Sequence, residues 1–254
     1  MKIAVSGKGG VGKTTLAATL ARIFSANGKK VLAIDADPDA NLAGALGFER
    51  PKDIVPISEM KELIAERTGT EPGKYGSIFK MNPKVDDLPE KLAKDVGGLK
   101  FMVLGGVAKG GGGCVCPESV MLKMLIMHLV LGRDEVVIMD MEAGLEHLGR
   151  GTSQSVDKLL VVVEPGRRSL DTAESVRRLA RDLKLKNVAV VGNKIRNESD
   201  KEFIRQGLTD FEILGFIPYN DDVIEADLTG RSAYDTSPAT VTAVTEIYHR
   251  LIGR

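Results

Sequence analysis

The 254-residue chain predicts an α/β protein, a single doubly wound, mostly parallel β-sheet flanked by helices. Three observations point there. Short apolar runs recur at residues 3–6, 31–34, 100–104, 136–139, 159–163, 188–191 and 213–217, each bounded by Gly, Pro, Asp or Asn. These runs are continuously apolar rather than alternating, as expected of parallel strands buried on both faces. Helix-period segments separate them near residues 13–27, 118–131, 170–183, 200–206, 220–229 and 238–252. Strand–helix alternation of this kind builds a parallel sheet with crossover helices. Residues 49–98 interrupt the alternation with one helix at 57–66 and a Pro/Gly/Lys-rich stretch without periodicity. That stretch reads as an insertion at the sheet's rim, so residues 1–254 are expected to form one domain, long enough to bury a core without disulfide staples.

Composition narrows the function classes. Lys plus Arg number 35 and Asp plus Glu number 35, leaving no net charge. A general nucleic-acid binder carries a basic excess, so no nucleic-acid partner is expected. The two cysteines, Cys114 and Cys116, cannot form a disulfide framework, and joining them to each other would close an unfavourably short ring. They are expected as free thiols or metal ligands in a reducing compartment. With only His128, His147 and His249 present, a His-built metal site is disfavoured. Residues 1–7 run directly into a strand without a signal-peptide apolar region. No segment reaches the ~20 apolar residues of a membrane span, so a cytoplasmic protein without a membrane anchor is predicted.

Gly7-Lys8-Gly9-Gly10-Val11-Gly12-Lys13-Thr14 follows the first predicted strand, opens the first predicted helix and fits G-x-x-x-x-G-K-[ST]. Glycines let backbone N–H groups turn inward around a β-phosphate, and the helix N-terminus adds its dipole. Lys13 is expected at the β/γ-phosphate oxygens and Thr14 on Mg²⁺. Gly9, Gly10, Val11, Gly12, Lys13, Thr14 and Thr15 form the predicted nucleotide cradle. Two further strands end in acids. One leads into Asp35-Ala36-Asp37-Pro38-Asp39-Ala40-Asn41, the other into Asp140-Met141-Glu142-Ala143-Gly144. Carboxylates at strand ends beside a phosphate loop suit Mg²⁺, its waters or an attacking water. Asp140 is expected to hold a Mg²⁺-bound water, and the Gly144 N–H to approach the γ-phosphate. Asp39 reads equally as a loop carboxylate. Glu142 receives no role, and His147 reads as a surface histidine.

The loop with its first lysine, Lys8, resembles the deviant phosphate loop of the MinD/ParA/nitrogenase-iron-protein group. The resemblance implies a homodimer in which Lys8 crosses the interface to the nucleotide of the other subunit. Asp37-Pro38-x-x-Asn41 is similar to the group's first switch, which implies that Asp37 positions or activates water, with Asp35 in the second shell of Mg²⁺. Lys8, Lys13 and Asp37 are thus the expected catalytic residues. Asn193-Lys194, closing a strand, resembles the group's adenine-reading element, and Pro218, Tyr219 and Asn220 look like its second base-side loop. The Asn193 amide offers a donor and an acceptor to a purine edge. ATP and ADP rather than guanine nucleotides are expected, because Asn193-Lys194-Ile195-Arg196 lacks the final Asp of a guanine-reading motif.

A glycine-rich segment at 105–113 leads into Cys114-Val115-Cys116-Pro117. In an extended segment, residues two apart face the same way, with Cα atoms about 6.6 Å apart, so both thiolates can lean onto one soft metal. One chain supplies half of a tetrahedral site, and a two-fold dimer would complete it. Buried core cysteines and a redox-active pair are the alternatives. A Cys-x-Cys pair inside a deviant phosphate-loop ATPase resembles the CooC/AcsF family, nickel-handling ATPases that mature carbon monoxide dehydrogenase and acetyl-CoA synthase. Asp37-Pro38-Asp39, Asp140-Met141-x-Ala143-Gly144 and Ile217-Pro218-Tyr219-Asn220 belong to the same resemblance, which spans nearly the whole chain. It implies Ni²⁺, with Zn²⁺ possible, at Cys114 and Cys116, and one of those two enzymes as client. Two rivals remain at this stage. An electron-transfer ATPase could hold an iron–sulfur cluster across the dimer axis, but the nitrogenase iron protein takes its cysteines from two separated places. A MinD-like positioning ATPase could use the apolar stripe Val241, Val244, Ile247, Tyr248, Leu251 and Ile252 on a membrane, but that stripe lacks a Lys-rich flank and reads as a core-packing helix.

Overall fold

Every predicted apolar run is a strand. In the structure, a computed structural model that describes residues 1–70, 79–105, 116–131, 135–142 and 156–253, β1 (Lys2–Gly7), β2 (Val31–Asp35) and β5 (Val136–Asp140) are buried at every position. With β4 (Leu99–Val103), β6 (Lys158–Val163), β7 (Val188–Ile195) and β8 (Glu212–Pro218) they form a parallel array, and β3 (Lys94–Val96) joins its edge antiparallel to β4. The sheet order is β3-β4-β2-β5-β1-β6-β7-β8. Chain order therefore diverges on either side of β1, and ligands of such sheets bind at the carboxyl ends beside that switch point. The register sets Asp140 beside Val5 on one flank and beside Asp35 on the other, placing both acids at one level.

Alternate β1 residues face opposite layers. Ile3 and Val5 pack with Leu16, Leu20 and Phe24 of α1 (Lys13–Ala26) and with Val244 and Ile247 of α10 (Pro238–Leu251). Ala4 belongs to the other layer, with Leu122, Leu125 and Ile126 of α5 (Pro117–Leu131) and Val176 of α6 (Arg167–Asp182). α5 is apolar around most of its circumference, the mark of a helix buried on several sides. The C-terminal apolar stripe is spent on the core: Val244 and Ile247 are fully buried, and the Tyr248 ring meets Phe24 edge-on at 4.8 Å. Among the described residues no helix is long and apolar enough to cross a membrane.

Several short elements were not expected. The 57–66 helix is a 3₁₀ turn, Ile57–Glu59, followed by α3 (Lys61–Thr68), which packs on α5. The 49–98 stretch also holds α4 (Leu88–Leu92) and β3. β3, Lys-Asp-Val, has only one buried residue and so gives no apolar run; its pairing comes from the turn. Gly97 and Gly98 both adopt positive φ (56° and 83°), which a two-residue hairpin needs to match strand twist. α2 (Leu42–Ala45) and α9 (Ala233–Thr236) are single turns too short to show a period. α7 (Glu198–Gly207) and α8 (Asp221–Leu228) lie where expected, whereas α6 starts three residues before its predicted start, at Arg167.

Candidate nucleotide site

The phosphate loop joins β1 to α1 at the switch point. Gly10 (φ 78°) and Gly12 (φ 95°) occupy left-handed backbone, where a side chain would be strained. Lys13, in the first turn of α1, is buried, and its ammonium lies 3.8 Å from Asp37 Oδ2. The Thr14 hydroxyl donates to Asp140 Oδ2 at 2.6 Å. Asp140 Oδ1 is buried with no hydrogen-bond partner among the described residues. A hydroxyl, a carboxylate and an unsatisfied carboxylate oxygen are the hard donors that Mg²⁺ takes, so these residues fit that ion.

Asp35 sits behind this group as a brace. Its two oxygens accept the N–H of Asp37 at 3.1 Å and of Leu42 at 2.8 Å, fixing the acidic loop to the sheet and to the start of α2. Asp37 Oδ1 in turn accepts the Asp39 N–H at 3.0 Å, while Asp39 itself is exposed on the cleft wall. Burial pushes Asp35 up to about 6, against the pull of those two N–H groups. Burial pushes Asp140 up to about 7; Thr14 and Lys13 oppose the rise and Asp35 adds to it.

A pH prediction follows. The ordinary value for Asp140 is 3.8, so between that and about 7 the folded protein binds more protons than the unfolded chain, and stability falls as pH rises through the window. In chelator and without nucleotide, Asp140→Asn should gain melting temperature over wild type progressively from about pH 4 to about pH 8. A melting difference that does not vary with pH would reject the buried ionisation.

On the base side the structure adds contacts that the sequence did not specify. Asn193 Nδ2 donates to Val11 O at 2.7 Å, so one of its two N–H groups holds the phosphate loop. Asn220 caps α8, accepting the Asp222 N–H at 2.9 Å, and its amide donates to Ser237 Oγ at 2.8 Å; its side chain is structural in this arrangement. The Tyr219 ring lies under the Arg196 guanidinium, 4.0 Å from ring centroid to Cζ. Pro218, Tyr219 and Asn220 nevertheless line the same cleft, of about 1540 Å³, as Gly9, Gly10, Gly12, Thr14 and Thr15. Glu142 reaches this cleft too, its carbonyl held by the Ser6 hydroxyl at 2.8 Å. Lys8 is partly exposed and forms no ion pair among the described residues.

Sequence reasoning missed Glu164, and it placed Lys194 in the base-side Asn193-Lys194 element without a contact to the phosphate loop. Lys194 Nζ lies 2.7 Å from Gly10 O and 2.9 Å from Glu164 Oε2. The available signal was positional: both follow apolar runs, at the same sheet end as the phosphate loop.

Cys116 is half-buried immediately before α5. Its Sγ is 3.0 Å from Ser119 Oγ and accepts the Ser119 N–H at 3.4 Å. Cys114, Gly144 and His147 lie outside the described residues. Among those described, no group of three or more His, Cys, Asp and Glu side chains could hold a metal ion.

A glycine loop, Lys13, and Thr14 against the strand-end Asp140, all at the switch point of a parallel sheet, define a P-loop nucleotide-binding ATPase. Residues 2–233 match the CobQ/CobB/MinD/ParA nucleotide binding domain, and the chain belongs to that family. It is 48% identical over 241 residues to the carbon monoxide dehydrogenase accessory protein CooC of Rhodospirillum rubrum, covering 94% of this chain and 91% of that protein. An ATP-binding protein of Methanocaldococcus jannaschii is 51% identical over 234 residues, 91% of this chain and 90% of that one. Among solved structures, the MinD cell division protein of Aquifex aeolicus superposes with a TM-score of 0.70 at 24% identity, covering 100% of this chain and 98% of that one.

Proposed function

We propose that this ATPase is a homodimeric metallochaperone that carries nickel on Cys114 and Cys116 and helps insert it into carbon monoxide dehydrogenase or acetyl-CoA synthase. The observation that carries the reading is 48% identity, along nearly the whole chain, to a carbon monoxide dehydrogenase accessory protein. The position of Cys116 supports it: a half-buried thiol just before α5, whose sulfur accepts the Ser119 N–H and lies 3.0 Å from the Ser119 hydroxyl. Two subunits would bring four thiolates to one ion, the number a tetrahedral soft-metal site requires.

In the proposed cycle Lys13 neutralises the β/γ-phosphate oxygens and Asp37 orients the attacking water. Lys8, which lacks an ion-pair partner within the described part of its own chain, reaches the nucleotide of the second subunit. Mg²⁺, bound near Thr14 and Asp140 with the nucleotide, supplies charge neutralisation on the triphosphate. Because Asp35 ties the Asp37 loop to the sheet end that Asp140 also occupies, a change at the phosphate reaches that loop through short, buried contacts. Clasping and release of the dimer would then make and break the metal cage.

Metal titration of the reduced protein with ADP, ATP or no nucleotide, followed by light scattering, tests this. The expected result is one Ni²⁺ or Zn²⁺ per dimer and a nucleotide-dependent gain in mass, since a ligand that binds only the dimer must favour it. One ion per monomer without a change in mass would overturn the shared cage. A brown, oxygen-sensitive cluster after anaerobic purification would favour electron transfer instead, and ATP-dependent sedimentation with liposomes a positioning role.

A further inference from the structure

Two consecutive side chains at the end of β7 reach over the phosphate loop, and neither belongs to the loop's own motif. Asn193 Nδ2 donates to Val11 O and Lys194 Nζ to Gly10 O, each at 2.7 Å. Glu164, just after β6, holds the same ammonium at 2.9 Å. Lys194 adopts φ 58°, a left-handed conformation that a side-chain-bearing residue keeps only where its surroundings impose it. Gly12 completes the fit, since a Cβ there would collide with the Asn193 amide.

In a trans peptide the C=O and the following N–H point in opposite directions. Drawing the Gly10 and Val11 carbonyls toward β7 therefore turns the N–H groups of Val11 and Gly12 away from it. Among the described residues, Val11 N–H has only a long 3.4 Å contact to Lys8 O to give up. We propose that Lys194, anchored by Glu164, is a positioning residue for phosphate: it holds the loop carbonyls outward so that the loop N–H groups are set for the phosphate chain of a nucleoside di- or triphosphate. Its effect is thus on the phosphates and not on the base. The inference rests on the cleft being the nucleotide site, and the test separates the two.

ADP reports phosphate and base contacts together, while adenosine reports base and ribose alone. Displacement of a fluorescent ADP analogue by each, with Mg²⁺, should show Lys194→Ala weakening ADP by about tenfold while adenosine changes less than about twofold, the size expected for one charged hydrogen bond. Lys194→Arg, which keeps a cation in reach, should recover most of the ADP affinity. Lys194→Gly should behave like alanine although it relieves the backbone, because strain is not what binds. Equal losses for ADP and adenosine, or an unchanged ADP affinity, would overturn the proposal. Should Lys194→Ala fail to fold, Glu164→Gln carries the test: a selective loss for ADP is expected, and no loss overturns it. If wild type itself bound no ADP, the nucleotide site and not the positioning role would fall.

Discussion

Lys13→Ala should lower kcat/KM for ATP by ~10²–10³-fold, the scale seen when a preorganised donor to developing charge is removed from a water-poor site. Lys13 is 7% exposed, in the first turn of α1, and its nearest described charge is the Asp37 carboxylate at 3.8 Å. The ammonium charge also acts on Asp140 against the repulsion from Asp35 and Asp37 before any nucleotide arrives. Its loss removes both the neutralising charge on the phosphates and the counter-charge to those carboxylates. The Lys13→Ala protein is expected to fold, because the loop backbone is held independently through Asn193 and Lys194. Lys13→Arg keeps the charge but carries a bulkier planar head, and should recover only a small part of the rate. Steady-state phosphate release checks this, with melting temperature as the folding control. Hydrolysis by Lys13→Ala within about tenfold of wild type would remove Lys13 from the chemistry.

Cys114→Ser and Cys116→Ser should each abolish stoichiometric metal binding. In a shared four-thiolate cage, one substitution per chain removes two of the four ligands, because symmetry doubles every change. Serine offers a neutral, harder oxygen that a soft metal prefers far less than thiolate. Structural thiolate-rich zinc sites are worth roughly 10–16 kcal/mol at neutral pH, so losing half of the ligands should cost at least several powers of ten in affinity. Elemental analysis after gel filtration, with ADP binding measured alongside to show an intact nucleotide site, decides it. Full metal content in either variant would end the proposed role of the pair. For Cys116 the neighbouring Ser119 contacts would also be altered, so the Cys114 variant is the cleaner of the two.

The fold was legible because its signals are local. Strands such as 159–163, Leu-Leu-Val-Val-Val, bury every residue in the structure, and a run of that kind has no solvent face to supply alternation. The charged hairpin strand β3 was illegible for the opposite reason: an exposed edge needs no apolar run, and only its Gly97-Gly98 turn marks it. At the site, Lys13, Thr14 and Asp140 could be placed together from sequence because each ends or begins an element whose type was readable. Asp35 could be placed at the site but not given its bracing of the 37–42 backbone, which depends on the path of a loop. Asn220 was expected among base contacts, yet its side chain is engaged by α8 and Ser237, since capping a helix and facing a cleft are equally open to an asparagine after a strand.

The amino-acid order alone determined the phosphate loop, the acids at the strand ends and the parallel α/β character, because glycine conformations, apolar periodicity and spacing act within a few residues of one another. Only the tertiary structure decided that Glu164, Lys194 and Gly10 meet, across separations of 30 and 184 residues. Strand order puts the ends of β1, β6 and β7 side by side, and no local pattern encodes which strands become neighbours.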